Sequence, residues 1–186
     1  MKIEKISKTC VLGTDFHCAG LTYTGIEAIV FIPKLLLHPV NLSLLPVLAL
    51  DLDGTLADYS EGWQGPDIIG EPISEALGTL THLAAFGWRM FLFTTRGVLD
   101  PVIKWLIKHR LDQIFEGVNI LHHNPPQCSH KPIFDVLIDD RAYPFCGRQL
   151  TSEDWLQIRE DLTEDEQWRE KVRRAREFSQ DRGVGS

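Results

Sequence analysis

Apolar residues gather in three short unbroken runs along this chain, separated by stretches with helical spacing. Val47-Leu48-Ala49-Leu50 is followed at once by Asp51, Asp53 and Gly54, the pattern of a strand covered on both faces of a parallel sheet. Arg89-Met90-Phe91-Leu92-Phe93 predicts a second such strand, with Thr94, Thr95 and Arg96 at its carboxyl end. Phe134-Asp135-Val136-Leu137-Ile138 predicts a third, ending in Asp139, Asp140 and Arg141. Between the first two runs, Ile73, Ala76, Leu77, Leu80, Leu83 and Ala84 recur on one helical face. They predict a helix over 72–86 that Gly87 terminates. Val102, Ile103, Leu106 and Ile107 predict another over 101–109, with Asp100 as its N-cap and Pro101 at the first helical position. Val118-Asn119-Ile120 reads as a short strand, and Asn124-Pro125-Pro126 as loop.

Strands alternating with helices at this spacing define βαβ units. The predicted fold is therefore α/β: a Rossmann-like parallel sheet flanked by helices. A length of 186 residues suits one compact domain, with its core over 46–150. Residues 151–180 change character: Trp155, Leu156, Ile158, Leu162, Trp168, Val172 and Ala175 are spaced among charged residues, predicting one or two amphipathic helices broken near Thr163. They read either as a layer covering the sheet or as a partner-binding face. Residues 181–186 are expected to be a disordered tail. Residues 1–45 read as an extension, hairpin or irregular, with nothing catalytic in it.

The apolar stretch from 29 to 50 approaches the length of a membrane span. Pro33, Pro39 and Pro46, with Lys34, His38 and Asn41 among them, argue against one. The first 18 residues are polar and mixed in charge, unlike a secretory signal. A formal charge of −7 and a pI near 5.5 leave no basic stripe for extensive nucleic-acid binding. Cys10, Cys18, Cys128 and Cys146 form no CxxC pair and are too sparse to staple the fold. They read as reduced thiols in a cytoplasmic protein. A zinc site pairing Cys18 with His17, or Cys128 with His122, His123 and His130, fits no standard spacing.

The candidate chemistry lies where the strands end. Ligands of open parallel sheets bind outside the carboxyl ends of the strands, and the fold brings Asp51, Asp53, Thr94, Asp139 and Asp140 to that edge. Several carboxylates in one crevice repel unless a cation enters, and hard oxygen donors favour Mg²⁺, which also binds substrate phosphate. A carboxylate beside a phosphoryl group so held can attack it to give an aspartyl-phosphate. Gly54 allows the chain to turn, so that Asp53 reaches the leaving-group oxygen as acid and later activates water as base.

Asp51-Leu52-Asp53-Gly54-Thr55-Leu56 resembles the DxDGT motif of the haloacid dehalogenase superfamily, in its phosphatase branch. The resemblance covers about 47–144. It implies a Mg²⁺-dependent phosphomonoester hydrolase in which Asp51 is the nucleophile and Asp53 the acid/base. Thr94 resembles the hydroxyl that binds phosphoryl oxygens, with Thr95 as the alternative. Lys131 matches the cation that steadies nucleophile and phosphate. It stands only eight positions before Asp139, so Arg96, Arg141 and Lys104 remain alternative cations. Asp139 and Asp140 match the metal-binding acidic pair, with Asp140 as direct ligand, Asp139 outside it, and Asp51 and the Asp53 backbone carbonyl completing the protein's donors. Asp53 also implies phosphoryl rather than carbon–halogen chemistry.

The intervals from Asp53 to Thr94 and from Thr94 to Lys131 are roughly 40 and 37 residues, too short for the family's inserted cap domain. An uncapped site implies closure by the substrate, by a second subunit of a homo-oligomer, or by the C-terminal helices. The loop 58–70, with Tyr59, Trp63, Gln64 and Pro66, is the candidate flap; Trp63 either stacks on a base or anchors the loop. Arg141 is expected to pair with Asp139, the alternative being a substrate phosphate. Two other readings stand beside the general phosphatase: a nucleotide or polynucleotide-end phosphatase, and a non-catalytic interaction protein that binds through its C-terminal helices.

Overall fold

The computed structural model describes residues 19–23, 26–30, 44–119, 132–144 and 147–182. Four parallel strands make up most of the sheet: β3 (Val47–Leu50), β4 (Arg89–Leu92), β5 (Phe115–Val118) and β6 (Val136–Ile138). β1 (Ala19–Tyr23) and β2 (Ile26–Val30) form an antiparallel hairpin, and β2 continues the sheet alongside β5 through Ile29 and Val30. The order across the sheet is β1-β2-β5-β4-β3-β6. The described residues of the N-terminal extension before 44, 19–23 and 26–30, are thus paired strands. Helices α1 (Ala76–Phe86), α2 (Asp100–Lys108), α3 (Ser152–Glu164) and α4 (Glu166–Arg182) complete this α/β, Rossmann-like arrangement.

Every residue of β3 and β4 is buried, which accounts for their unbroken apolar sequences. Helix α1 begins four residues later than its periodicity predicts. Pro72 bridges Ala57, and the Ile73 N–H donates to the Leu56 carbonyl, so this stretch is extended chain at the base of the flap. α1 stops at Gly87 (φ 130°), where an added Cβ would lie 3.0 Å from Val172 Cγ1. The same glycine ends the helix and admits α4. The N-cap of α2 is Leu99, not Asp100; the aspartate lies within the first turn, where its charge suits the helix dipole. β5 begins three residues before its predicted position, and Asn119 (φ 56°) ends it instead of lying within it. β6 is shorter than predicted because the Asp135 side chain accepts from the Val47 N–H at 2.8 Å.

The C-terminal helices break at Asp165, two residues from the expected position. α3 opens with a capping box in which Thr151 and Asp154 satisfy each other's backbone N–H groups. It packs on α1 and places Trp155, Ile158 and Leu162 in the main core. Trp155 is fully buried, so this side of α3 covers the core, whereas Leu156 is 39% exposed. Trp168 lies against Trp88, ring centroids 4.8 Å apart, while the Trp88 Nε1–H donates to the Leu162 carbonyl. A buried ion pair, Arg89 with Glu116, joins β4 to β5 through bonds of 2.7 and 2.8 Å. Among the described residues no helix is long and apolar enough to cross a membrane.

Candidate active site

Asp51 leaves β3 while its N–H still donates to the Ile138 carbonyl of β6 at 3.0 Å. The chain then coils tightly: Leu56 and Ala57 N–H groups return to the Leu52 carbonyl, and the Gly54 N–H donates to the Ala57 carbonyl at 2.9 Å. Gly54 has φ 78°, a left-handed conformation that glycine adopts without steric cost. A Cβ there would stand 3.3 Å from Asp140 Oδ2, so the absence of a side chain lets the two acidic segments meet.

Thr55 joins them. Its Oγ1 accepts from the Asp140 N–H and its carbonyl accepts from Trp155 Nε1–H, each at 3.0 Å. The motif loop is therefore held from β6 and from α3 by a fully buried threonine. Asp139 Oδ1 accepts from the Arg141 N–H at 2.8 Å, and its carboxyl lies beside that of Asp140. The exposed Arg141 guanidinium is 3.8 Å from Asp140 and not paired with Asp139 as expected, since Asp139 takes the Arg141 backbone N–H instead.

At the end of β4, Thr94 is buried whereas Thr95 is exposed. The Thr94 N–H donates to Asn119 Oδ1 at 2.9 Å, and Thr94 Oγ1 accepts from the Arg96 N–H at 3.3 Å. Asn119 thus braces the end of β4 from the end of β5. Its role has a faint sequence signal, since an asparagine after an apolar run tolerates the left-handed conformation.

Arg96 is the largest addition to the predicted site. Its guanidinium is buried and grips Asp53 at both oxygens, at 2.8 Å from Nε and 2.7 Å from Nη2. It also donates to the carbonyls of Pro66 and Ile68 at 3.0 and 2.9 Å, and lies 4.7 Å from the Trp63 ring centre. As a replacement phosphate-binding cation it is already committed. Lys104 is exposed on α2. Lys131 lies outside the described residues, as do His17, His122, His123, His130 and all four cysteines.

The electrostatics carry the mark of incomplete compensation. Asp51 is pushed up from 3.8 to about 7, first by burial and then by repulsion from Asp139, Asp53 and Asp140, against a backbone hydrogen bond from Leu52. Asp140 is also raised, by burial first and then by its hydrogen bond to Asp139 and that neighbour's charge. Among the described residues no three carboxylate, imidazole or thiol side chains converge tightly enough to hold a metal ion by themselves. A hard divalent cation needs only one or two carboxylates, with carbonyl and water oxygens completing its shell. Asp51, the Asp53 carbonyl and one member of the Asp139–Asp140 pair are of that kind, and the unrelieved repulsion among them fits a cation.

The fold and this strand-end crevice define a Rossmann-like α/β protein with an acidic site. No protein-family model matches the chain, and no curated protein matches it significantly. Among solved structures it is similar to a conserved protein from Bacteroides thetaiotaomicron, at 27% identity over 64% of this chain and 91% of that one, with a TM-score of 0.50. That protein's description carries no activity.

Proposed function

We propose that this chain is a Mg²⁺-dependent phosphomonoester hydrolase of the haloacid dehalogenase type, working through an aspartyl-phosphate on Asp51. The observation that carries the reading is the meeting of Asp51, Asp53, Thr94, Asp139 and Asp140 at adjacent parallel strand ends, with Asp51 raised by burial and by the neighbouring carboxylates. Asp140, leaning on Gly54, is the direct metal ligand and Asp139 its acidic neighbour. Bound there, Mg²⁺ would neutralise the carboxylates and hold a phosphoryl oxygen.

An Asp51 oxygen attacks phosphorus and the ester bond to the leaving oxygen breaks, that oxygen taking a proton from Asp53. Water then attacks the acyl phosphate, giving its proton to Asp53 and releasing phosphate. Arg96 occupies one direction on each Asp53 oxygen, which leaves a further lone pair on each; one of these carries the proton that Asp53 gives to the leaving oxygen and regains from water. Thr94 Oγ1 accepts from a backbone N–H, so its O–H is left to donate to a phosphoryl oxygen. Lys131 is proposed as the accompanying cation.

Hydrolysis of an aryl phosphate, with Mg²⁺ and with chelator, tests the reading against D51N. Mg²⁺-dependent turnover that vanishes in the variant is expected; equal rates from both proteins would sink it.

A further inference from the structure

The flap is fixed at three places. Gln149 accepts from the Tyr59 N–H and donates to Asp58 Oδ1. Trp105 Nε1–H donates to the Gly70 carbonyl at 2.7 Å, and Arg96 grips the Pro66 and Ile68 carbonyls between those points. Within this fastened loop Trp63 is 56% exposed. Anchoring alone does not account for a large indole left half in water, because the loop's own hydrogen bonds already hold it. The Arg96 guanidinium lies 4.7 Å from the ring centre, an attractive contact that fixes the ring while more than half of it stays in water. Ile68 and Val98, 52% and 49% exposed, come from the two segments that meet at Arg96.

One guanidinium therefore touches both Asp53 and Trp63. Asp53 stands at the leaving-group oxygen in the proposed reaction, so the body of the leaving group extends beyond it, past Arg96 and toward the indole. We infer that Trp63, backed by Arg96, is the stacking platform for a planar aromatic leaving group, and that the substrates are phosphomonoesters carrying such a ring, nucleotides among them. The substrate class rests on the hydrolase reading; the platform itself does not. Trp63 binds the ring, and Arg96 is a positioning residue that holds platform and Asp53 in one frame.

Two matched substrate pairs separate ring from phosphate: AMP against ribose 5-phosphate, and phenethyl phosphate against ethyl phosphate. In the full chain with Mg²⁺, W63A is expected to raise KM for the ring-bearing member by at least about five-fold, the weak end of base–aromatic stacking. The ringless member should change by less than about two-fold, kcat should hold for both, and W63F should restore most of the preference. R96K should lose the preference and lower kcat as well, because it frees Asp53. A preference in the nucleotide pair alone identifies a base as the ring; a preference in both identifies a general aryl platform. Equilibrium dialysis of AMP and ribose 5-phosphate with D51N and with D51N/W63A reads the platform without turnover. Should no substrate be hydrolysed, the hydrolase reading fails, while tighter AMP binding that depends on Trp63 still upholds the platform. Equal KM changes in both members of each pair, together with equal binding of AMP and ribose 5-phosphate, overturn it.

Discussion

Replacing Asp51 with asparagine should make the protein more stable at neutral pH, even as it removes the proposed nucleophile. Asp51 ordinarily titrates at 3.8 and is raised to about 7 by burial and by its carboxylate neighbours. Between those pH values the folded protein keeps a proton that the unfolded chain has released. Stability therefore falls as pH rises from about 4 to about 7 and levels off above. The difference between 3.8 and about 7 corresponds to about 4 kcal/mol, an upper bound because the neighbouring carboxyls share the proton. Asparagine carries no charge at any pH. Metal-free D51N should exceed the wild type by about 2–4 kcal/mol at pH 8 and by less than about 0.5 kcal/mol at pH 4. In urea titrations that is a midpoint rise of about 1–2 M at pH 8. Saturating Mg²⁺ should stabilise the wild type, by about 2.7 kcal/mol at a hundred times its Kd, and should do far less for D51N. A gap of the same size at both pH values, or a D51N protein weaker than the wild type at pH 8, would refute the reasoning.

Three further perturbations have distinct outcomes. E116A leaves Arg89 buried without its carboxylate and should cost about 3–5 kcal/mol in urea unfolding, while the apolar double variant R89M/E116L should come close to neutral. T151A removes the side-chain half of the α3 capping box and should cost about 1 kcal/mol, with faster amide exchange at Asp154. G54A forces a Cβ into a left-handed turn 3.3 Å from Asp140 Oδ2. Its aryl-phosphate turnover should fall at least about ten-fold, equivalent to about 1.4 kcal/mol of barrier, with its urea midpoint changed far less than that of E116A.

The parallel strands were legible because burial on both faces leaves an unbroken apolar run, as in Val47 to Leu50 and Arg89 to Leu92. Their carboxyl ends followed from topology alone. Boundaries slipped where a long-range contact overruled local pattern: Pro72 and Ile73 pair with the motif loop instead of joining α1, and Asp135 substitutes its side chain for a ladder contact. Arg89 opens a strand like any polar flanking residue; only its register beside β5 shows that Glu116 neutralises it. Arg96 belongs to the same group. Its proximity to Thr94 marked it as a candidate cation, but its grip on Asp53 and on the flap depends on how residues 66–68 fold back, which no spacing encodes. Trp155 and Trp168 differ for the same reason: the periodicity that marks an amphipathic helix does not say whether its apolar face meets the sheet or a partner.

The bond from Trp155 Nε1–H to the Thr55 carbonyl spans 100 residues. During synthesis all four acidic residues of the crevice leave the ribosome before the residue that braces their loop. A nascent chain ending short of α3 would thus hold the full set of charges without the support beneath them. The support of the acidic loop is therefore assembled from two stretches of chain far apart in sequence, and it is complete only once Trp155 has docked.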